Sequence, residues 1–163
     1  MQNDKLTAAQ VKELYEKHGS ALAAYACCCG LDFAAAEDAV QQVFLKLLRG
    51  GTAVPRLPVA YLYRCVRNAS LNLRRSRMHQ TDPVEPEKWF ARDGGAPEEI
   101  LALQGALSEL PEEQREVVFL RMWSGLTLKE IAEATKMPMN TTGSRYRYAL
   151  EKLRERLKPK VAR

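Results

Sequence analysis

Between residues 61 and 77 the chain sets Tyr61, Tyr63, Arg64, Arg67, Asn68, Asn72, Arg74, Arg75 and Arg77 on what the spacing predicts to be one helix. Residues 61–79 hold five arginines and no acid. Aromatic rings offer platforms for unstacked bases, at about 1–3 kcal/mol per base, while guanidinium groups hold the phosphates. A merely solvated helix face usually mixes both charge signs, so this pattern points to nucleic acid whose bases are partly unstacked. The stripe left for a core is Leu62, Cys65, Val66, Ala69 and Leu73.

A second candidate lies near the C-terminus. Thr127 and Glu130 form a T-x-x-E capping box that starts a helix. Leu128, Ile131 and Ala132 give that helix an apolar face. Pro138, in the turn "KMPM", prevents simple continuation. A further helix begins near Asn140 and runs to about Leu157, with Tyr146, Ala149, Leu150 and Leu153 as its core stripe. The arrangement is a helix-turn-helix, whose second helix places its first turn in a major groove. That turn offers Asn140, Thr141, Thr142, Ser144 and Arg145. Amides and hydroxyls can bond base edges, and Arg145 can fork onto guanine. Arg147, Lys152 and Arg154 are placed to hold phosphates, which position but do not specify. Lys136 stands where such turns usually carry glycine, at a cost of about 1 kcal/mol if its backbone is left-handed. Thr142 stands where an apolar core residue is common. A plain helical hairpin with a solvated basic face is the alternative.

A third candidate surface has different chemistry. Val40, Val43, Phe44, Leu47 and Leu48 form the expected apolar face of one helix, and Asp38, Gln41, Gln42, Leu45 and Arg49 collect opposite it. A leucine among amides and a carboxylate suits a small protein-binding patch.

These residues need helices to position them, and helices are what the rest of the sequence provides. Apolar residues recur at helical spacing, strand signals are nearly absent, and Gly/Pro clusters punctuate the pattern. Helices are expected over residues 7–29, with a break at Gly19, and over 33–49, stopped by Gly50 and Gly51. Others are expected over 58–77, 97–109 and from 111 to before Gly125, followed by the helix-turn-helix pair. Residues 81–96 carry prolines, glycines and acids and read as a flexible linker. The fold class is therefore all-α: two small helical domains, residues 1–80 and 97–163, joined by that linker.

At 163 residues and 46% hydrophobic content the chain can bury two such cores. The net charge of +5 is unevenly spread. Residues 81–116 hold ten acids to three bases, and residues 143–163 hold eight bases to two acids. Two basic blocks flanking an acidic middle suggest two contact surfaces. Three of the four cysteines are consecutive, Cys27, Cys28 and Cys29, with the fourth at Cys65. Neighbours on a helix point apart and cannot share a metal, so they read as small apolar residues kept reduced. The two histidines, His18 and His79, are far apart, and no metal, nucleophile or phosphate-loop spacing occurs. No enzyme activity and no cofactor are expected. No signal peptide or spanning run is seen, so the expectation is a cytoplasmic protein without membrane insertion.

Taken in order, three segments resemble the bacterial sigma factors of the extracytoplasmic-function (ECF) group. "AAAEDAVQQVFLKLLR" is similar to the family's core-binding helix. "VAYLYRCVRNASLNLRRSR" is similar to the helix that melts and reads the minus-ten element. The segment from "ALSELPEEQREVVFL" through "LEKLRERL" is similar to the domain that reads the minus-thirty-five element. The resemblance implies a protein without a catalytic site that binds RNA polymerase core and directs it to promoter DNA. It places Asp38, Gln41, Gln42 and Leu45 on the polymerase clamp. Tyr61, Tyr63, Arg64, Arg67, Asn68, Asn72 and Arg75 fall along the minus-ten region, with residues 50–58 near a flipped base. Thr141, Thr142, Ser144, Arg145 and Arg147 fall at the minus-thirty-five groove. The acidic linker would thread toward the polymerase cleft, and an anti-sigma factor is admitted as a further partner. Gln42 stands where the family usually has an acid, Asn72 where an aspartate is frequent, and Gly143 where a lysine is frequent. The competing readings are an autonomous helix-turn-helix regulator, which gives the Asp38–Leu45 face no role, and a helical interaction protein, which leaves the tyrosine–arginine helix unexplained.

Overall fold

The computed structural model describes residues 5–50, 58–76 and 98–158. Seven helices and no strands occur among them. The expected linker, the loop over residues 51–57, Arg77 and His79 lie outside the described residues.

Helix α1 (Ala8–Cys28) starts at Thr7, whose hydroxyl accepts from the Gln10 amide while the Gln10 side chain accepts from the Thr7 amide. It runs unbroken through Gly19, contrary to the expected break. A lone glycine costs a helix only about 1 kcal/mol relative to alanine, which packing can offset. Helix α2 (Phe33–Arg49) is capped by Asp32, which accepts from the Ala35 amide at 2.7 Å, and closes on Lys46 and Arg49 before Gly50 turns to φ 73°. Helix α3 (Pro58–Ser76) begins on a proline, whose fixed φ suits the first turn. Ala35, Ala36 and Ala39 are buried on α2, and α1 packs along it, with the Tyr15 ring edge-on to Phe44 at 5.1 Å. Leu48, expected on the buried face, is instead 53% exposed. It lies at the margin of that face, beside Leu45.

The second half comprises α4 (Glu98–Ser108), α5 (Glu112–Met122), α6 (Leu128–Thr135) and α7 (Met139–Leu157). The Thr127–Glu130 capping box forms as expected, and α6 ends on Lys136 at φ 56°, ψ 39°, the left-handed turn that glycine would occupy without strain. Ile131, Ala132 and Ala134 of α6 and Ala149 and Leu153 of α7 close the helix-turn-helix core, with Tyr146 and Leu150 half-buried.

The two halves meet. Successive helical residues are rotated by about 100°, so four buried in a row exceed any single amphipathic stripe and require cover on all sides. Two such runs occur: Tyr25, Ala26, Cys27 and Cys28 near the end of α1, and Val117, Val118, Phe119 and Leu120 in α5. They cover each other, with α3 packed on α6 beside them. The Tyr25 ring lies 5.4 Å from that of Tyr63 on α3 and 6.3 Å from that of Phe119 on α5, and Phe119 stacks on Trp123 at 5.7 Å.

Candidate nucleic-acid interface

Helix α3 presents three stripes. Leu62, Val66, Ala69 and Leu73 pack into the core, as the spacing predicts. Tyr61, Arg64, Asn68, Asn72 and Arg75 follow one another by three or four residues and form a second stripe. There Asn68, Asn72 and Arg75 are exposed, and Tyr61 and Arg64 are half-buried. The third stripe is Tyr63, Arg67, Ser70 and Arg74, and it faces the C-terminal half. Tyr63 is fully buried against Tyr25, so as arranged here it cannot stack on a base, contrary to expectation. The sequence placed it among polar residues, but the aromatic layer between the halves claims it.

Arg67 and Arg74 are held by carboxylates. Arg67 donates through Nε to Glu116 at 2.6 Å, and the same oxygen accepts the Tyr25 hydroxyl. Partial burial works against the charge on Arg67, but the hydrogen bond and charge of Glu116 outweigh it and raise its pKa. Arg74 reaches Glu112 at 2.7 Å, and its side chain lies over Gly30. Gly30 sits at φ 103°, and a Cβ there would come within 3.4 Å of that side chain. Beneath these pairs is a cavity of about 30 Å³ lined by Cys28, Cys29, Arg67, Leu71, Glu112 and Glu116. Burial pushes the Cys28 thiol up to about 12 and raises those of Cys29 and the Tyr25 hydroxyl as well. All three are therefore protonated near neutral pH. No group of side chains suited to a metal ion occurs among the described residues.

At the start of α7, Asn140 and Arg147 are exposed, and Thr141, Ser144 and Arg145 are half-buried. Arg145 contacts Glu113 at 3.3 Å and the Met137 sulfur. Ser144 donates to the Asn140 carbonyl at 2.9 Å. Thr142 is buried, with its hydroxyl given to the Pro138 carbonyl at 3.0 Å, so it is a core residue and not a base contact. Its methyl fills the apolar position, and its hydroxyl bonds back to the helix, which is how a polar residue occupies that place.

On α2, Asp38, Gln41, Gln42 and Leu45 share one exposed stripe. The sequence reading missed the groove that adjoins it. Val11, Lys12 and Tyr15 of α1 join Gln41, Phe44, Leu45 and Leu48 around a shallow apolar depression of about 320 Å³. The half-burial of Leu47 beside the exposure of Leu48 separates the two leucines, which helical periodicity alone does not do.

Two adjacent helical units, one carrying a helix-turn-helix and the other an exposed arginine–asparagine stripe, define a nucleic-acid-binding class of protein. Residues 14–80 match the family model for Sigma-70 region 2, and residues 100–153 match that for Sigma-70, region 4. The chain is 29% identical over 158 residues to the ECF RNA polymerase sigma factor SigL of Mycobacterium tuberculosis, covering 90% of this chain and 88% of that one. Its fold is similar to that of the sigma factor RpoE of Bartonella quintana, solved with the anti-sigma factor NepR, at a TM-score of 0.66 and 24% identity over 91% of this chain and 97% of that one. It is also similar to CnrH, solved with the cytosolic domain of CnrY, at a TM-score of 0.63 and 22% identity over 91% and 88% of the two chains. The chain belongs to the sigma-70 family, in its ECF group.

Proposed function

We propose that this chain binds RNA polymerase core, directs it to a class of promoters and helps open the duplex there. The observation that carries this reading is the order of surfaces along the chain. An exposed clamp-facing stripe on α2 comes first, the arginine–asparagine stripe of α3 next, and the helix-turn-helix last, within the two sigma-70 matches. Asp38, Gln41, Gln42 and Leu45 bind the clamp, and the apolar groove with Tyr15 and Leu48 extends that contact. Tyr61, Arg64, Asn68, Asn72 and Arg75 follow the minus-ten strand. Thr141, Ser144, Arg145 and Arg147 lie at the minus-thirty-five groove. The role is one of binding rather than catalysis, carried out in the cytoplasm, where polymerase works. None of the helices described is long and apolar enough to cross a membrane. An anti-sigma factor is a further partner by analogy with RpoE and CnrH, each solved with another chain.

The test is co-elution of the purified chain with bacterial polymerase core, followed by run-off transcription on fragmented genomic DNA. Discrete new transcripts that depend on the chain are the expected result. Duplex binding without core binding would replace this reading with an autonomous regulator.

A further inference from the structure

We propose that Tyr148 is a specificity-determining residue of the minus-thirty-five contact, its ring reading a thymine methyl, so that the element this chain selects carries an A·T pair at that place. This rests on the reading that α7 enters the minus-thirty-five groove. Tyr148 is 52% exposed, and among the described residues of α4–α7 it is the one exposed aromatic. A single exposed ring needs no explanation by itself; its place on the helix does. Asn140, Gly143, Ser144, Arg147 and Tyr148 follow one another by the three- and four-residue steps of one helix face. That face lies opposite the buried Thr142, Ala149 and Leu153. The ring therefore stands on the side of α7 that also carries the Asn140 amide and the Ser144 hydroxyl.

The chemistry of this face is that of A·T readout. Arg145, the side chain that would fork onto guanine, is drawn off within its own half. Its Nη2 contacts Glu113 of α5 at 3.3 Å, and its Nη1 contacts the Met137 sulfur. Arg147 places its guanidinium 5.7 Å from the centre of the Tyr148 ring, where a cation is attracted to the ring face. That contact steadies the ring and leaves the charge beside it for a phosphate. Nothing lies within 4 Å of where a Cβ on Gly143 would stand, so packing inside the chain does not require a glycine there, although glycine weakens a helix interior. The bare backbone between Asn140 and Arg147 lets a duplex come close. Two side chains of this face then match bases by chemistry. The Asn140 amide can bond adenine at two points, and the apolar edge of the Tyr148 ring suits the C5-methyl of thymine.

The test uses the full chain with polymerase core on a promoter recovered from the run-off products, and it measures the affinity of the assembled complex for that duplex. Each thymine of the minus-thirty-five region is replaced in turn by deoxyuridine, which removes the methyl and nothing else. At one of them the wild-type complex should lose about fourfold in affinity, the effect of one buried methyl. Tyr148→Ala should bind the unmodified promoter more weakly by at least that factor and be indifferent to the same deoxyuridine. Tyr148→Phe keeps the ring and should keep the loss. Because the side chain is exposed, Tyr148→Ala should leave the melting temperature in place, which separates a lost contact from a lost fold.

Deoxyuridine losses that are equal in wild type and Tyr148→Ala at every thymine would overturn the proposal. So would a wild-type complex indifferent to deoxyuridine throughout the element. Failure of core to bind the wild-type chain would remove the sigma reading instead. The same deoxyuridine comparison, on duplexes selected by the full chain alone, would then still decide whether Tyr148 reads the methyl.

Discussion

The α2 face and the α3–α7 faces are in opposite states. Asp38, Gln41, Gln42 and Leu45 stand in solvent beside an open apolar groove, while Arg67, Arg74 and Arg145 are engaged by acids of the same chain. The difference lies in what each surface can find within the molecule. An apolar patch ringed by amides has no internal complement, whereas guanidinium groups have one wherever carboxylates are near. The α2 face is thus open to a partner, whereas these three arginines are occupied within the chain even though Asn68, Asn72, Arg75 and Arg147 stay exposed.

The largest expected effect tests the open side of that contrast. Leu45→Asp puts a charge on the patch proposed to face the clamp and should weaken core binding by about 2 kcal/mol or more, as for a hot-spot residue. Leu45 is 50% exposed, so the thermal midpoint should hardly move. Unchanged core affinity in a titration would remove the patch from the interface. The occupied side is sharpened by Tyr25→Phe, which leaves the Glu116 carboxylate short of one donor. A hydrogen bond to a charged group contributes about 1.5–3 kcal/mol, so urea unfolding should show a loss in that range. No loss would mean that the tyrosine hydroxyl does not hold the Arg67–Glu116 pair.

Alkali probes the seam between the halves without substitution. Cys28, Cys29 and Tyr25 have folded-state pKa values raised chiefly by burial, so the fold favours their protonated forms. That stability is fully present below the unfolded-state values and is lost as pH rises toward the folded ones. For Cys28 the window runs from 9.0 to about 12. Each such group steepens the fall by about 1.4 kcal/mol per pH unit within its window. Cys28→Ala should flatten the urea midpoint between pH 9 and about 10.5 relative to wild type; parallel curves would refute the burial. The smallest effect lies outside both surfaces. Lys136→Gly relieves a left-handed lysine and should stabilise the chain by up to about 1 kcal/mol, read as a rise in melting temperature. A fall would show that the Lys136 side chain matters more than its backbone.

The helices, the Thr127–Glu130 capping box, the left-handed Lys136 and the exposed α2 stripe were legible because each is set by neighbours within a few residues. The third stripe of α3 was not. Tyr63 and Arg67 look like ligand-facing residues in a helix read alone, and their partners Tyr25 and Glu116 lie 38 and 49 positions away. A trace of the seam was nevertheless present. The apolar runs of nine residues from Ala21 to Cys29 and of four from Val117 to Leu120 exceed what one amphipathic face can use, and the acids of "PEEQRE" precede the second run directly. Thr142 was legible both ways, as a core position by its place in the turn and as a base contact by its hydroxyl. Packing decided for the core.

The three arginine–carboxylate pairs also differ in how they will answer to ionic strength. The Arg74–Glu112 side chains are 47% and 54% exposed, and Glu113 beside Arg145 is 69% exposed, so dissolved ions screen both pairs readily. The Arg67–Glu116 pair lies deeper, over an aromatic layer that added salt does not weaken. Rising salt should therefore loosen the rim of the seam while its centre stays shut. Arg74 would let go of Glu112 before Arg67 lets go of Glu116, while the Arg145–Glu113 pair joins two helices of the second half and bears on neither stage.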